Sequence, residues 1–364
     1  MIGLLTKPGA NTRHTVSSRR PSVKKSVWLL MVWAGVAGLA AAQTASLVDS
    51  LPDYQPRQQV AGTIRIWGHG AWGKDFMESL VLRWEAGFKK YQPQVNFETD
   101  LLGTATAMGA LYTGTGDIAI LGREVRPSEI EAFRDVRGYP PLAIDVIAGS
   151  YDVPNKDFAL GIFVNQANPL KQLTMAQLVA VFGCGGAGKP VARTWGDLGV
   201  KGAWAKQPIH AYGYQIRRGF GVYFDQVVLA GSGRWNCGYK EVFKQGDPDA
   251  DGQLIVDTVA GDPNAIAFAG MAYANPEVRP LAIARAAAGP YVLPSQQSVF
   301  MRQYPLYRVL TSYVDRKPGQ PMDAKMREFL SYILSRQGQQ AIVDTGGYLP
   351  LNSEVVRHER AKLQ

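Results

Sequence analysis

Thr63-Ile64-Arg65-Ile66-Trp67, closed by Gly68-His69-Gly70, is the stretch on which the fold turns. Apolar residues alternate with others and stop at a glycine pair, the pattern of a strand feeding a tight turn. Met77, Leu80, Val81, Trp84 and Phe88 then recur at i, i+3, i+4, i+7 and i+11, so a helix with one apolar face follows. Val95-Asn96-Phe97-Glu98 reads as a second strand. Gly103-Thr104 opens a second helix through Met108 and Leu111, and Asp117-Ile118-Ala119-Ile120-Leu121 is a short strand before Gly122. Strands alternating with helices predict an α/β fold with a parallel sheet covered on both faces.

The alternation continues outward. Residues 142–148, 160–164, 209–213 and 265–269 read as strands, and Thr174 is placed to cap a helix carrying Leu178, Val181 and Phe182. Phe220, Tyr223, Phe224, Val227 and Val228 mark another helix. Met326, Phe329, Leu330, Ile333 and Leu334 give the clearest amphipathic one, with Asp323 in its first turn. A length of 364 residues, 46% hydrophobic and 19% charged, suits two medium globular domains rather than a disordered chain.

The formal charge of +9 is concentrated at one end: six basic residues and no acid lie in residues 1–42, leaving +3 for the rest. That is no footprint for nucleic acid. Lys24-Lys25, the apolar run Val27 to Ala40 and Ala40-Ala41-Ala42 instead have the anatomy of a secretory signal peptide, with the mature chain starting near Gln43 in a bacterial periplasm. The run is shorter than the roughly 20 residues of a comfortable membrane span; an uncleaved anchor is the competing reading. Ser18-Arg19-Arg20 approaches a twin-arginine signal, but Ser22 stands where an aromatic is expected. Residues 43–61, polar and proline-containing, read as a linker. The two cysteines, Cys184 and Cys237, favour a disulfide in an oxidising compartment, one closing a loop of about 50 residues and adding about 3–4 kcal/mol; two separate buried thiols are the alternative.

Two motifs fall short of the chemistry they suggest. Gly183-Cys184-Gly185-Gly186-Ala187-Gly188-Lys189-Pro190 nears a P-loop, but Pro190 supplies no hydroxyl for Mg²⁺ and a helix, not a strand, precedes it. Asp247, Asp249 and Asp251 with Gly252 match half an EF-hand loop, but Thr258 replaces the closing glutamate, so a solvated helix start competes with weak calcium binding. The four histidines have no metal spacing, and no nucleophile elbow supports a hydrolase. No cofactor is expected. Four strand-to-helix turns remain: Gly68-His69-Gly70-Ala71, Gly103-Thr104-Ala105-Thr106, Gly122-Arg123 and Arg217-Arg218-Gly219. Turns at the carboxyl ends of strands gather ligands, and helix N-termini with arginine forks favour an oxyanion.

The order of these segments resembles the phosphate-binding receptors of bacterial ABC transporters over residues 62–352. The resemblance is carried by Asn168-Pro169-Leu170 with Leu173-Thr174 and Gln177-Leu178, by Trp195-Gly196-Asp197-Leu198-Gly199, and by Tyr212-Gly213 and Ala265-Ile266-Ala267-Phe268. Tyr304-Pro305-Leu306-Tyr307-Arg308 and the run from Glu328-Phe329-Leu330 to Gly347-Tyr348-Leu349-Pro350-Leu351 extend it. It implies a periplasmic-binding-protein-like fold: two α/β lobes joined by a hinge of two crossing segments and closing on a ligand. The first lobe is then residues 62–150 with 265–352, the second is 151–264 and holds both cysteines, and 353–364 is a tail.

The same resemblance implies a monomeric, non-enzymatic receptor that hands a small anion to an inner-membrane permease. Thr104, Arg123, Arg218 and the N–H of Gly219 are the expected contacts. The site departs from the family pattern, because Arg218-Gly219-Phe220 stands where Ser-Gly-Thr is usual and Tyr214-Gln215-Ile216 where Arg-x-Asp is usual. With that Asp goes the usual reason to prefer phosphate over sulfate. A sensor or docking module with a degenerate cleft is the second reading, and a periplasmic hydrolase the third.

Overall fold

The structure is a computed structural model and describes residues 47–70, 76–154, 156, 158–185 and 191–364. The signal-like segment, the end of the first turn at Ala71 and the loop at 186–190 lie outside the described residues. Among the described residues, no helix is long and apolar enough to cross a membrane.

Two five-stranded sheets form the frame, and β6 (Gln172–Thr174) and β11 (Ala282–Ala284) make a separate parallel pair. In the first, the order is β2 (Val95–Asp100), β1 (Gly62–Gly68), β3 (Ile118–Ile120), β12 (Val309–Val314) and β4 (Leu142–Ala148). In the second it is β10 (Val278–Pro280), β5 (Leu160–Asn165), β9 (Ala265–Gly270), β7 (His210–Gly213) and β8 (Lys240–Glu241). The expected parallel pairing holds for β1 with β2 and β3, and for β7 with β8 and β9. Both sheets are nevertheless mixed, since β12 runs antiparallel to β3 and β4, and β5 antiparallel to β9 and β10.

β5 and β12 are the strands by which the chain enters each sheet from the other, and the two crossings run side by side. Gly149 N–H donates to Arg308 O at 2.8 Å and Leu160 N–H to Leu306 O at 3.0 Å. Tyr304, fully buried, donates its hydroxyl to Leu160 O at 2.8 Å. The return crossing is therefore at 304–308, not at 265 as expected. β9 sits inside the second sheet because its all-apolar sequence is buried on both faces between β5 and β7.

The helices keep their expected faces. In Phe76–Lys89 the five periodic residues are buried, and Trp84 Nε1 donates to Gly338 O at 2.8 Å, tying this helix to the C-terminal region. Thr174 caps Met175–Phe182 through Gln177 N–H at 3.1 Å, and the Asp323 carboxylate accepts from Lys325 and Met326 N–H.

Three expectations are corrected. Residues 47–61 are a packed strap rather than a linker: Val48, Leu51, Tyr54 and Val60 are buried, and Tyr54 Oη donates to Glu328 Oε2 at 2.8 Å. Residues 353–364 are not a loose tail, because Ser353–Ala361 is a helix burying Val355 and Val356. The cysteines are unbridged, Cys184 half-buried and Cys237 exposed. Gly183 faces Trp235 in an antiparallel bridge and Cys184 N–H donates to Arg234 O, so Cys237 lies beyond the opposite end of that pairing from Cys184.

Candidate functional site

Three of the four turns converge at the carboxyl ends of the first sheet. His69 N–H donates to Ile120 O at 2.9 Å and Gly103 N–H to Gly68 O at 3.0 Å, which draws the turns after β1, β2 and β3 together. Thr104 begins the helix Thr104–Thr113, yet its hydroxyl already serves the protein. It accepts from Gly122 N–H at 3.1 Å and lies 3.3 Å from His69 Nδ1. A side chain at Gly122 would meet the His69 ring at 2.2 Å, so glycine there is a matter of space.

Arg123 is beside this cluster and is committed elsewhere. Its Nη1 and Nη2 grip both Glu129 oxygens at 2.8 and 2.6 Å, and Nη1 also donates to Glu124 O. Burial pushes the Glu129 carboxyl up, but the Arg123 hydrogen bonds, the Arg126 N–H and the nearby charges outweigh it and hold the group below the usual carboxylate range.

On the facing side, Arg218 is the N-cap of the helix Gly219–Val228. It is exposed and donates to Gln215 Oε1 at 3.2 Å. Phe220 points into an aromatic cluster, stacked on Phe158 at 4.4 Å and against Tyr214 at 4.7 Å. The structure thus gathers Thr104 with Gly122 and His69, but gives Arg123 to Glu129 and leaves Arg218 at the surface.

The most buried arginine–carboxylate pair in this region went unread in the sequence. Arg308, on the return crossing and 2% exposed, places Nε and Nη2 on the Glu124 oxygens at 2.9 and 2.8 Å. Its guanidinium carbon lies 4.9 Å from the Phe220 ring and 5.0 Å from the Tyr223 ring. Two further contacts join the helix Gly219–Val228 to segments flanking the first sheet: Gln226 Nε2 donates to Val125 O, beyond β3, at 3.0 Å, and the Tyr223 hydroxyl to Tyr307 O on the return crossing. Burial keeps the Tyr223 phenol far above its ordinary range, hence a neutral donor. Arg308 stood within the quoted Tyr304–Arg308 run, but nothing in that run names a partner 184 residues away.

Asp247 and Asp251, two of the three aspartates at 247–251, are spent on the chain itself. Asp251 Oδ1 accepts from Lys244 N–H at 2.8 Å and Asp247 pairs with Lys244 Nζ at 2.9 Å, leaving the set as a helix start. Among the described residues, no group of three or more His, Cys, Asp or Glu is placed to hold a metal.

A PBP superfamily domain matches residues 55–337, spanning both sheets and the hinge. The chain belongs to the PBP superfamily. Its PBP relatives include the phosphate-binding protein PstS of Pseudomonas aeruginosa, 32% identical over 325 residues, which are 88% of this chain and 93% of that one. Protein SphX of Synechococcus elongatus is 27% identical over 270 residues, 72% of each chain. Among solved PBP structures, PstS from Borrelia burgdorferi superposes with a TM-score of 0.53 at 14% identity, covering 80% of this chain and 99% of that one, which supports the fold alone. Against this PBP frame, the departure at Arg218-Gly219-Phe220 acquires a structural meaning: an aromatic ring covers a cation already held by an internal carboxylate.

Proposed function

We propose that this protein is an exported receptor that captures phosphate in the cleft between its lobes and delivers it to an ABC transporter permease, acting as a monomer without covalent catalysis. The observation that carries this reading is the near end-to-end match to a phosphate-binding protein, across 88% of this chain and 93% of the relative. In this reading the export signal is removed near Gln43 and the protein works in the periplasm. The first lobe comprises the first sheet with the strap and the C-terminal helices, and the second lobe runs from β5 to the return crossing.

Thr104, Arg218 and the N–H of Gly219 are the proposed anion contacts, on two helix starts where partial positive charge favours an oxyanion. Arg123 shapes the turn through Glu129. Isothermal titration with phosphate, and with sulfate as the control, tests this. Saturable heat with phosphate is expected, and silence with both anions overturns it.

A sensor or docking module is the second reading. It is favoured by the Glu124 carboxylate on Arg308 under Phe220, which fills the cleft with groups of the protein itself. That reading expects a membrane partner without transporter subunits.

A further inference from the structure

Beside the Glu124–Arg308 pair, at the hinge end of the cleft, a cavity of about 330 Å³ opens between the first sheet and the helix Gly219–Val228. Val125, Val227, Tyr307 and Tyr313 supply apolar and aromatic wall, while Arg285, Arg308 and Gln226 supply polar groups. Arg123, Glu124 and Thr311 also line it, so the wall is mixed, and the volume is at the lower end of the usual range of about 300–1,000 Å³ for a small-molecule site. A bare tetraoxyanion is far smaller and has no apolar body to set against the tyrosines and valines.

The charges around the cavity decide the sign of its occupant. Arg308 is matched by Glu124, Arg123 by Glu129, and Arg302 by Asp145 at 3.0 Å. Arg285 stands exposed at the rim with a long 3.5 Å approach to Arg302 O, and tips the balance towards positive. Arg302 is itself held with φ of 55°, a backbone state that arginine rarely takes, by Asp145 and the Tyr307 ring. Val227 adds a second observation. It is 39% exposed at the cavity while its helix neighbours Tyr223, Phe224 and Val228 are buried.

We propose that this cavity binds a small organic anion, its oxyanion head on Arg285 and its apolar body against Val227, Tyr307 and Tyr313. The inference deepens the reading of the cleft as a solute site and rests on it. It adds to phosphate at the helix starts a second ligand class carrying an apolar body, with phosphate-ester and carboxylate heads sharing this chemistry.

The test is isothermal titration of the purified protein with phenyl phosphate, benzoate and inorganic phosphate, repeated on Arg285→Gln and Val227→Trp. Both positions are exposed, and unchanged melting curves verify that both variants fold. Phenyl phosphate or benzoate should bind saturably, and the stronger of the two identifies the head. Arg285→Gln should weaken that binding about tenfold or more, and Val227→Trp should abolish it by filling the cavity, with any binding of inorganic phosphate left unchanged. Binding of the organic anion without phosphate supports the cavity and overturns free phosphate as cargo. Binding of inorganic phosphate alone, or organic binding indifferent to both substitutions, overturns the inference and leaves phosphate capture standing. Silence towards all three anions overturns both.

Discussion

Glu124 and Arg308 are drawn together across 184 residues of sequence, and their pairing governs what the cleft can do. A buried guanidinium tolerates low dielectric only while its carboxylate stays in place, so removing one partner costs more than the pair is worth. Glu124→Gln should therefore lose about 3 kcal/mol of stability in urea unfolding, and Glu124→Gln/Arg308→Met should recover most of it. A double variant as unstable as the sum of the singles overturns this account. Glu129 makes a different prediction, through pH. Its folded carboxyl is held below the ordinary glutamate value of about 4.3, so its stabilisation is complete above that value and is lost as pH falls through the folded one. Glu129→Gln should flatten the acid limb of the stability–pH curve below about pH 4.3 and leave its slope at neutral pH unchanged, as read by thermal melts.

At the scale of elements, the strap at 47–61 shows where reading from sequence stops. Tyr54 donates to Glu328, 274 residues on, and Gln92 Oε1 accepts from Val60 N–H at 2.9 Å. A deletion through Val60 should strand the buried Glu328 and Gln92 and expose apolar core. A loss of at least about 3 kcal/mol is expected, measured by chemical unfolding; an unchanged midpoint restores the linker reading. Local pattern could not show this, because a polar, proline-containing segment reads the same whether it is solvated or pinned by distant partners. The helix at 76–89 was legible because its five periodic residues share one buried face, and Thr174 because its cap partner, Gln177, is three residues away. β9 was legible as a strand but not as a member of the second sheet, since its sheet is chosen by β5 and β7. The site divides the same way. Gly103-Thr104 could be read as a helix start, while the commitments of Arg123 to Glu129 and of Arg308 to Glu124 depend on packing.

At the scale of the molecule, Phe220 is where family frame and individual chemistry part. It belongs to the second sheet's helix, yet its ring lies over a cation on the hinge segment that returns to the first sheet. With Gln226 on Val125 O, it lets protein groups join the two sides where a ligand would otherwise do so. Phe220→Thr, with Arg218 kept, would uncover Arg308 and place a hydroxyl at a helix start. Hydrogen bonds to a charged group contribute about 1.5–3 kcal/mol each, so affinity for inorganic phosphate should rise about tenfold or more. The melting temperature should fall in the same variant, because the stack of Phe220 on Phe158 is lost. Titration calorimetry and thermal melts on one preparation read both effects. A fall in melting temperature with unchanged phosphate affinity would mean that the helix start is not where the anion sits. The facing turns around Thr104 and Gly122 would then be the place to look for it.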